Sequence, residues 1–335
     1  MKYFEGKTVL ITGATGLVGS CLVDKLMQMD NVHVIALSRS ESKLKDIFNR
    51  YLGNCRFSIC VQDVSLFLPQ FNKPIDIIFH AASPIAGGVI KNNPVDVITP
   101  NIIGTKNFLD FLRTQEIRNG VKGRLVLFSS ATVYSNITTD DKMVSEEDTA
   151  IADTLDATNA PYSESKRIVE VLAKAYYKQY DVDSVIARFS YIYGYSYFQP
   201  NTAFYEFLNK AISGNDIVLN NSDIARRDNI YVKDAVSALL CLCEKGKSAE
   251  SYNISSNGEL NNFMAVDEMA SIIAKVVNKI KGSSINVNYL LPISDSRKPG
   301  VLLNNNKMKM LGWEIKTSVE KGIEETICQV VDKNI

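Results

Sequence analysis

The sequence predicts an α/β protein, a doubly wound parallel sheet followed by a smaller C-terminal α/β lobe. Three observations carry this. Short, unbroken apolar runs of strand length alternate with helix-length patterns over residues 7–188. A glycine-rich turn joins the first run to the first helix. After residue 195 the rhythm changes. Strands covered on both faces read as continuous apolar runs, and the helices between them are the crossovers that parallel strands need.

The elements follow in order. Residues 7–12 (Lys-Thr-Val-Leu-Ile-Thr) read as a buried strand and 17–29 as an apolar helix. A second buried strand falls at 32–37 (Val-His-Val-Ile-Ala-Leu) and a helical pattern at 40–51. Apolar runs then predict strands at 57–61, 75–79, 124–128 and 184–188, with helices over 94–115 and 162–180. Beyond residue 195, helices are expected at 203–213, 233–245, 265–279 and 319–331, with short strands at 217–219, 252–254 and 285–289.

A length of 335 residues suits two domains. The reading is a dinucleotide-binding domain over 1–195 and a substrate lobe over 196–335 that re-enters the first domain. Lys plus Arg and Asp plus Glu both number 37. Zero net charge argues against a nucleic-acid partner, which needs a basic excess. No apolar run reaches the roughly 18 residues of a membrane span, and the N-terminus has no signal-peptide pattern. Six scattered cysteines read as free thiols in a reducing cytoplasm, and no metal site is expected.

Thr12-Gly13-Ala14-Thr15-Gly16-Leu17-Val18-Gly19 stands between the first strand and the first helix. A diphosphate needs bare backbone N–H groups and the positive end of a helix dipole. Gly13 permits the tight turn, Gly16 the approach of the phosphates, and Gly19 close packing of helix on strand. Thr15, Leu17 and Val18 supply the remaining peptide groups of this turn. The second strand ends Ala-Leu-Ser38-Arg39-Ser40, with no carboxylate in the segment to hold a ribose 2′-hydroxyl. Arg39 suits a 2′-phosphate, which favours NADP over NAD. Asp63 and Val64 follow the third strand and would hold the adenine. Ala81, Ala82 and Ser83 are small residues that let a cofactor cross the strand ends. His80 beside them reads as a packed histidine.

Tyr162 and Lys166 lie four residues apart, so a helix puts them on one face. An ammonium beside a phenol favours the phenolate, which makes a proton acceptor. Ser130 follows the fifth strand, where a hydroxyl can hold the oxygen of a reacting alcohol or ketone.

Together these residues resemble the extended short-chain dehydrogenase/reductases of the nucleotide-sugar epimerase/dehydratase family. The resemblance covers essentially the whole chain. It includes Asn101-Ile-Ile-Gly104-Thr105, Arg188–Gly194 and Arg227-Asp228-Asn229-Ile230-Tyr231-Val232. It implies a Rossmann-type cofactor domain, a lobe for a nucleoside-diphosphate sugar, and a catalytic triad of Ser130, Tyr162 and Lys166. It places Asn101 at the cofactor, and Thr132, Tyr191, Arg227 and Arg297 at the substrate, the two arginines on its phosphates. It also implies a homodimer through helices 94–115 and 162–180, the second carrying the stripe Ile168, Leu172, Ala175 and Tyr176.

Three departures shape the expected reaction. Ala131 and Thr132 stand where the family's dehydratases carry Asp-Glu and its decarboxylases a Glu, and Ser130–Tyr134 resembles UDP-galactose 4-epimerases instead. Tyr191 replaces the family's Asn and Tyr195 its Pro. Arg39 stands where many epimerases have Asp. The resemblance thus implies an NAD(P)-dependent epimerase acting by transient oxidation at a sugar carbon, C4. The alternative is an NADPH-dependent reductase of 4-keto sugar nucleotides, followed by a decarboxylase or a non-catalytic cofactor-binding protein. Tyr191, Tyr195, Phe198, Asn201 and Phe204 are expected to select the sugar.

Overall fold

The structure is a computed structural model that describes residues 2–66, 68–69, 71–84, 87–135, 137, 143–149, 152–219, 226–290 and 300–333. The first half runs β1 (Thr8–Thr12), α1 (Leu17–Met27), β2 (His33–Ser38), α2 (Glu41–Phe48), β3 (Phe57–Val61), β4 (Ile77–His80), α3 (Gly87–Asn92), α4 (Pro94–Asn119), β5 (Arg124–Ser130), α5 (Ala160–Tyr180) and β6 (Ser184–Phe189). The second half runs β7 (Tyr191–Tyr193), α6 (Ala203–Ile212), β8 (Ile217–Leu219), β9 (Arg226–Tyr231), α7 (Val232–Lys245), β10 (Ser251–Ile254), β11 (Phe263–Ala265), α8 (Val266–Lys281), β12 (Val287–Tyr289), α9 (Asn306–Met310) and α10 (Val319–Lys333).

Seven parallel strands form the main sheet in the order β10-β6-β5-β4-β1-β2-β3. Every residue of β1 and β4 is buried, as their unbroken apolar runs require. One core lies on the face carrying α1, α2 and α7, through Leu22, Leu44 and Leu239. The other lies under α4 and α5, through Phe108, Leu109 and Leu112. The strand order reverses between β1 and β4. In such sheets ligands bind in the crevice outside the strand ends at that point. α4 runs on past the predicted 115 and stops at Gly120, which takes a left-handed φ of 72°.

The chain returns to the main sheet late. β10 pairs with β6 and α7 packs beside α1. A second core, around Tyr193, Phe204, Leu208, Ile273 and Ile323, belongs to the C-terminal lobe. Its three-stranded sheet β11-β9-β7 is absent from the sequence reading. β9 reads Arg-Arg-Asp-Asn-Ile-Tyr, and its polar start masks a strand whose last four residues are buried. Two residues of the expected α5 stripe also fall elsewhere. Leu172 and Tyr176 pack on the chain's own core, and Tyr176 Oη donates to Asp110 at 2.8 Å, while Ile168 stays 40% exposed. Among the described residues, no helix is long and apolar enough to cross a membrane.

Candidate active site

The turn after β1 is built so that side chains cannot intrude. Gly13 has φ +60°, and a Cβ there would lie 2.8 Å from the Ala81 carbonyl carbon. A Cβ on Gly19 would lie 2.3 Å from the Gly13 carbonyl oxygen. No described side chain caps α1 at Gly16, so its first N–H groups stay available for an anion. A groove of about 490 Å³ opens beside this turn, lined by Gly13, Thr15, Gly16, Ser38, Arg39, Asp63, Val64, Ala81, Ala82 and Ser83. Asp96, Thr99 and Pro100 of α4 complete its wall, which the sequence reading missed. These donors, and a Ser83 hydroxyl with no partner among the described residues, fit a dinucleotide.

Leu17, Val18, Gly19 and Asn101 do not line the groove. Leu17 packs against the C-terminal lobe, and Val18 packs between that lobe and the main-sheet core. Gly19 packs against the Gly13–Ala14 backbone. Asn101 is buried and donates to Ser165 Oγ at 2.8 Å, and Ser165 donates to the Tyr162 carbonyl at 2.8 Å. Its side-chain amide therefore sets the start of α5.

At the adenosine end the structure corrects one expectation. A carboxylate does stand at this strand end, contributed by the neighbouring strand: Asp63 Oδ2 lies 3.9 Å from Arg39 Nη1. Thr15 and Ser38 hydroxyls bond at 3.2 Å across the same corner. His80 is packed, as expected. Its Nδ1 lies 2.8 Å from Thr12 Oγ1, which accepts from Ala82 N at 3.1 Å. Burial pushes the imidazole down to about 3, so it is neutral.

The structure brings Ser130, Tyr162 and Lys166 together where β5 ends and α5 begins. The Ser130 hydroxyl favours the ionised form of the Tyr162 phenol, and its Oγ accepts from Thr132 N at 3.2 Å. Lys166 is buried and donates to the Phe128 carbonyl at 2.7 Å, with Nζ 5.7 Å from the centre of the Tyr162 ring. Burial pushes the phenol up, with Ser130 opposing. Burial pushes Lys166 down to about 7, with Glu170 opposing. In the protein alone, desolvation thus outweighs the mutual effect the i,i+4 spacing suggested, and Tyr162 holds its proton.

The candidate substrate residues divide. Thr132 Oγ1 is buried with no partner among the described residues, two positions after Ser130 in sequence. Arg227 is exposed, its guanidinium 5.0 Å from the centre of the Tyr191 ring. Both border a narrow cleft with Phe204, Phe207 and Met269. Arg297 lies outside the described residues. Tyr195 goes elsewhere: it packs 5.3 Å from Tyr197 and lines a separate cavity with Asp24 and Arg50. Phe198 sits under Lys43 of α2 at 4.5 Å.

A sequence model of the NAD dependent epimerase/dehydratase family matches residues 9–255. The chain belongs to this family. It is accordingly an enzyme of the nicotinamide-dependent, nucleotide-sugar type. Among curated family members, it is 28% identical to UDP-glucuronic acid decarboxylase 6 of Arabidopsis thaliana over 96% of this chain and 88% of that protein. It is 29% identical to UDP-glucuronic acid decarboxylase 1 of Xenopus tropicalis over 96% of this chain and 72% of that one. The UDP-glucose 4-epimerase of Thermotoga maritima shares the fold, with a TM-score of 0.77, 22% identity, and 98% of this chain and 100% of that chain covered. So does the UDP-glucuronic acid 4-epimerase of Bacillus cereus, solved with UDP-glucuronic acid and NAD, with a TM-score of 0.77, 21% identity, and 97% and 99% covered.

Proposed function

We propose that the protein is an epimerase of a nucleoside-diphosphate sugar, acting by transient oxidation at C4. The observation that carries this is the strand end Ser130-Ala131-Thr132. It sets a buried neutral hydroxyl, without a partner among the described residues, two positions after Ser130, and brings no carboxylate at either position. Elimination of water from a sugar needs an added acid and base, which these two residues do not supply. Tyr162 takes and returns the proton of the sugar hydroxyl. Ser130 holds the same oxygen, and Lys166 holds the nicotinamide ribose and favours the phenolate. A bound dinucleotide would supply the hydride acceptor and donor for that carbon. Arg227 pairs with the diphosphate of the substrate.

A second reading, decarboxylation, is favoured by the curated relatives, several of which are UDP-glucuronic acid decarboxylases. Both reactions start with the same oxidation. Incubation with UDP-glucose, UDP-galactose and UDP-glucuronic acid, followed by NMR of the products, separates them. The 4-epimer with no net cofactor consumption supports the proposal. A UDP-pentose with released carbon dioxide supports decarboxylation. Stoichiometric loss of NADPH on a 4-keto sugar nucleotide would make it a reductase.

A homodimer through α4 and α5 fits their exposed apolar residues, Val95 at 67%, Val171 at 58% and Ile103 at 41%. Light scattering at micromolar concentration should give twice the chain mass, and Val171→Glu should lower it.

A further inference from the structure

Glu170 lies one helical turn beyond Lys166 and two beyond Tyr162 on α5, and sequence reasoning had no role for it. It is buried, 5% exposed, and its two oxygens receive donors from three adjacent strands. Ser129 of β5 donates at 2.5 Å. Arg188 of β6 donates from Nε at 3.0 and 3.2 Å and from Nη2 at 2.7 Å. Ser251 of β10 donates at 3.3 Å. Arg188 continues the network, donating from Nη1 to Tyr134 Oη at 2.7 Å, and Tyr134 donates to Asn253 Oδ1 at 2.7 Å.

These contacts bracket the catalytic serine. Phe128 is held by Lys166, Ser129 by Glu170, and Tyr134 by Arg188, so the segment that carries Ser130 is tied on both sides to one charge network. We propose that Glu170 is the positioning residue of the active site, keeping Ser130 and Lys166 in working register around Tyr162 and holding the charge that Lys166 needs. The inference rests on Ser130, Tyr162 and Lys166 being the reacting set.

Among the described residues, the charges around Lys166 are few. On its own helix stand Tyr162 and Glu170. From β4 comes His80, which burial keeps neutral. From β6 comes Arg188, committed to Glu170. Burial works against the ammonium and Glu170 works for it. Oppositely charged neighbours in a buried site shift each other's titration by one unit or more. Removing the negative charge therefore moves the deprotonation of Lys166 to lower pH.

The test measures NADH and NADPH binding by fluorescence against pH, without sugar, and turnover against pH where a substrate is known. In Glu170→Gln, and in Glu170→Gln with Arg188→Met, which leaves no guanidinium facing the glutamine, the alkaline limb of both profiles should fall by about one pH unit, a tenfold loss at fixed pH on that limb. Glu170→Asp, which keeps the charge, should hold the limb near its wild-type position. Unchanged limbs in the charge-removed variants, with only a lower melting temperature, would overturn the proposal. If those variants do not fold, Ser129→Ala decides, because it frees the strand end and leaves the charge. A severalfold lower kcat with an unmoved limb supports the role, and unchanged kcat overturns it. Binding profiles need no sugar, so a wrong substrate leaves this test standing.

Discussion

Lys166 Nζ donates to the Phe128 carbonyl at 2.7 Å and stands 5.7 Å from the centre of the Tyr162 ring. The lysine is thus anchored by β5, two residues before Ser130. A strand that also presents the hydroxyl of the triad fixes where the cation lies. This shared anchor explains why a tyrosine and a lysine on a helix, and a serine on a strand 32 residues earlier in sequence, converge on one point.

Tyr162→Phe should lose turnover by roughly 10²- to 10⁴-fold, the usual contribution of a positioned acid or base. The phenylalanine keeps the ring and removes the phenolic oxygen. Dinucleotide binding should stay within a few-fold of wild type. Activity within threefold or so of wild type would remove Tyr162 from the proton transfer.

His80 contributes to the loss of stability in acid. Its imidazole titrates near 3 in the fold against 6.5 when free, because burial disfavours the cation. The folded form therefore binds fewer protons than the unfolded chain between those values. The stability tied to the neutral form is fully present above pH 6.5 and is lost as pH falls towards 3. Urea unfolding across this window should show a steeper fall with acidity in wild type than in His80→Gln. Equal slopes would mean that the histidine is solvated.

The main sheet was legible because its central strands, β1 and β4 above all, are buried on both faces and so read as apolar runs. The glycine turn and the Tyr162–Lys166 spacing were legible because local geometry alone sets them. What escaped depends on pairing between distant segments. β9 hides behind Arg226, Arg227 and Asp228, and its value as a strand comes from β7 and β11. Tyr195 sits one residue after Gly194, in a motif segment, yet the chain turns there and carries its ring to the outer side of α1. Glu170 carried a local signal, since it continues the stripe of Tyr162 and Lys166 at the same spacing. Its partners Ser129, Arg188 and Ser251 come from three strands, and no spacing reveals them.

Gly13→Ala should cost both stability and cofactor affinity. A left-handed φ of 60° costs an alanine about 1–2 kcal/mol by itself. The added Cβ also meets the Ala81–Ala82 backbone, which cannot step aside as a side chain would. Gly53→Ala is the control, since it has φ +84° but open space around it. Both variants should melt lower, and Gly13→Ala alone should bind NADH or NADPH at least tenfold more weakly. Equal binding by the two would detach the turn from the cofactor.

Cofactor choice is expected to depend on Arg39 and Asp63 together. The guanidinium is 71% exposed, so it can turn to a 2′-phosphate, and a charge-assisted hydrogen bond there contributes about 1.5–3 kcal/mol, roughly ten- to hundredfold in affinity. Asp63 works the other way. Its Oδ2, 3.9 Å from Arg39, repels the same phosphate, and as an acceptor it suits the free 2′-hydroxyl of NAD. Its Oδ1 accepts from Ser65 N at 2.8 Å, so the carboxylate is held in place and cannot easily swing away. The expected order is tighter NADPH than NADH in the wild type, by less than Arg39 alone would give. Asp63→Asn should widen that preference, and Arg39→Ala should abolish or invert it. Fluorescence titration of both reduced cofactors against the three proteins measures this. If NADH binds more tightly to the wild type and Arg39→Ala changes neither affinity, the arginine takes no part in binding, and Asp63 is left as the residue that selects NAD.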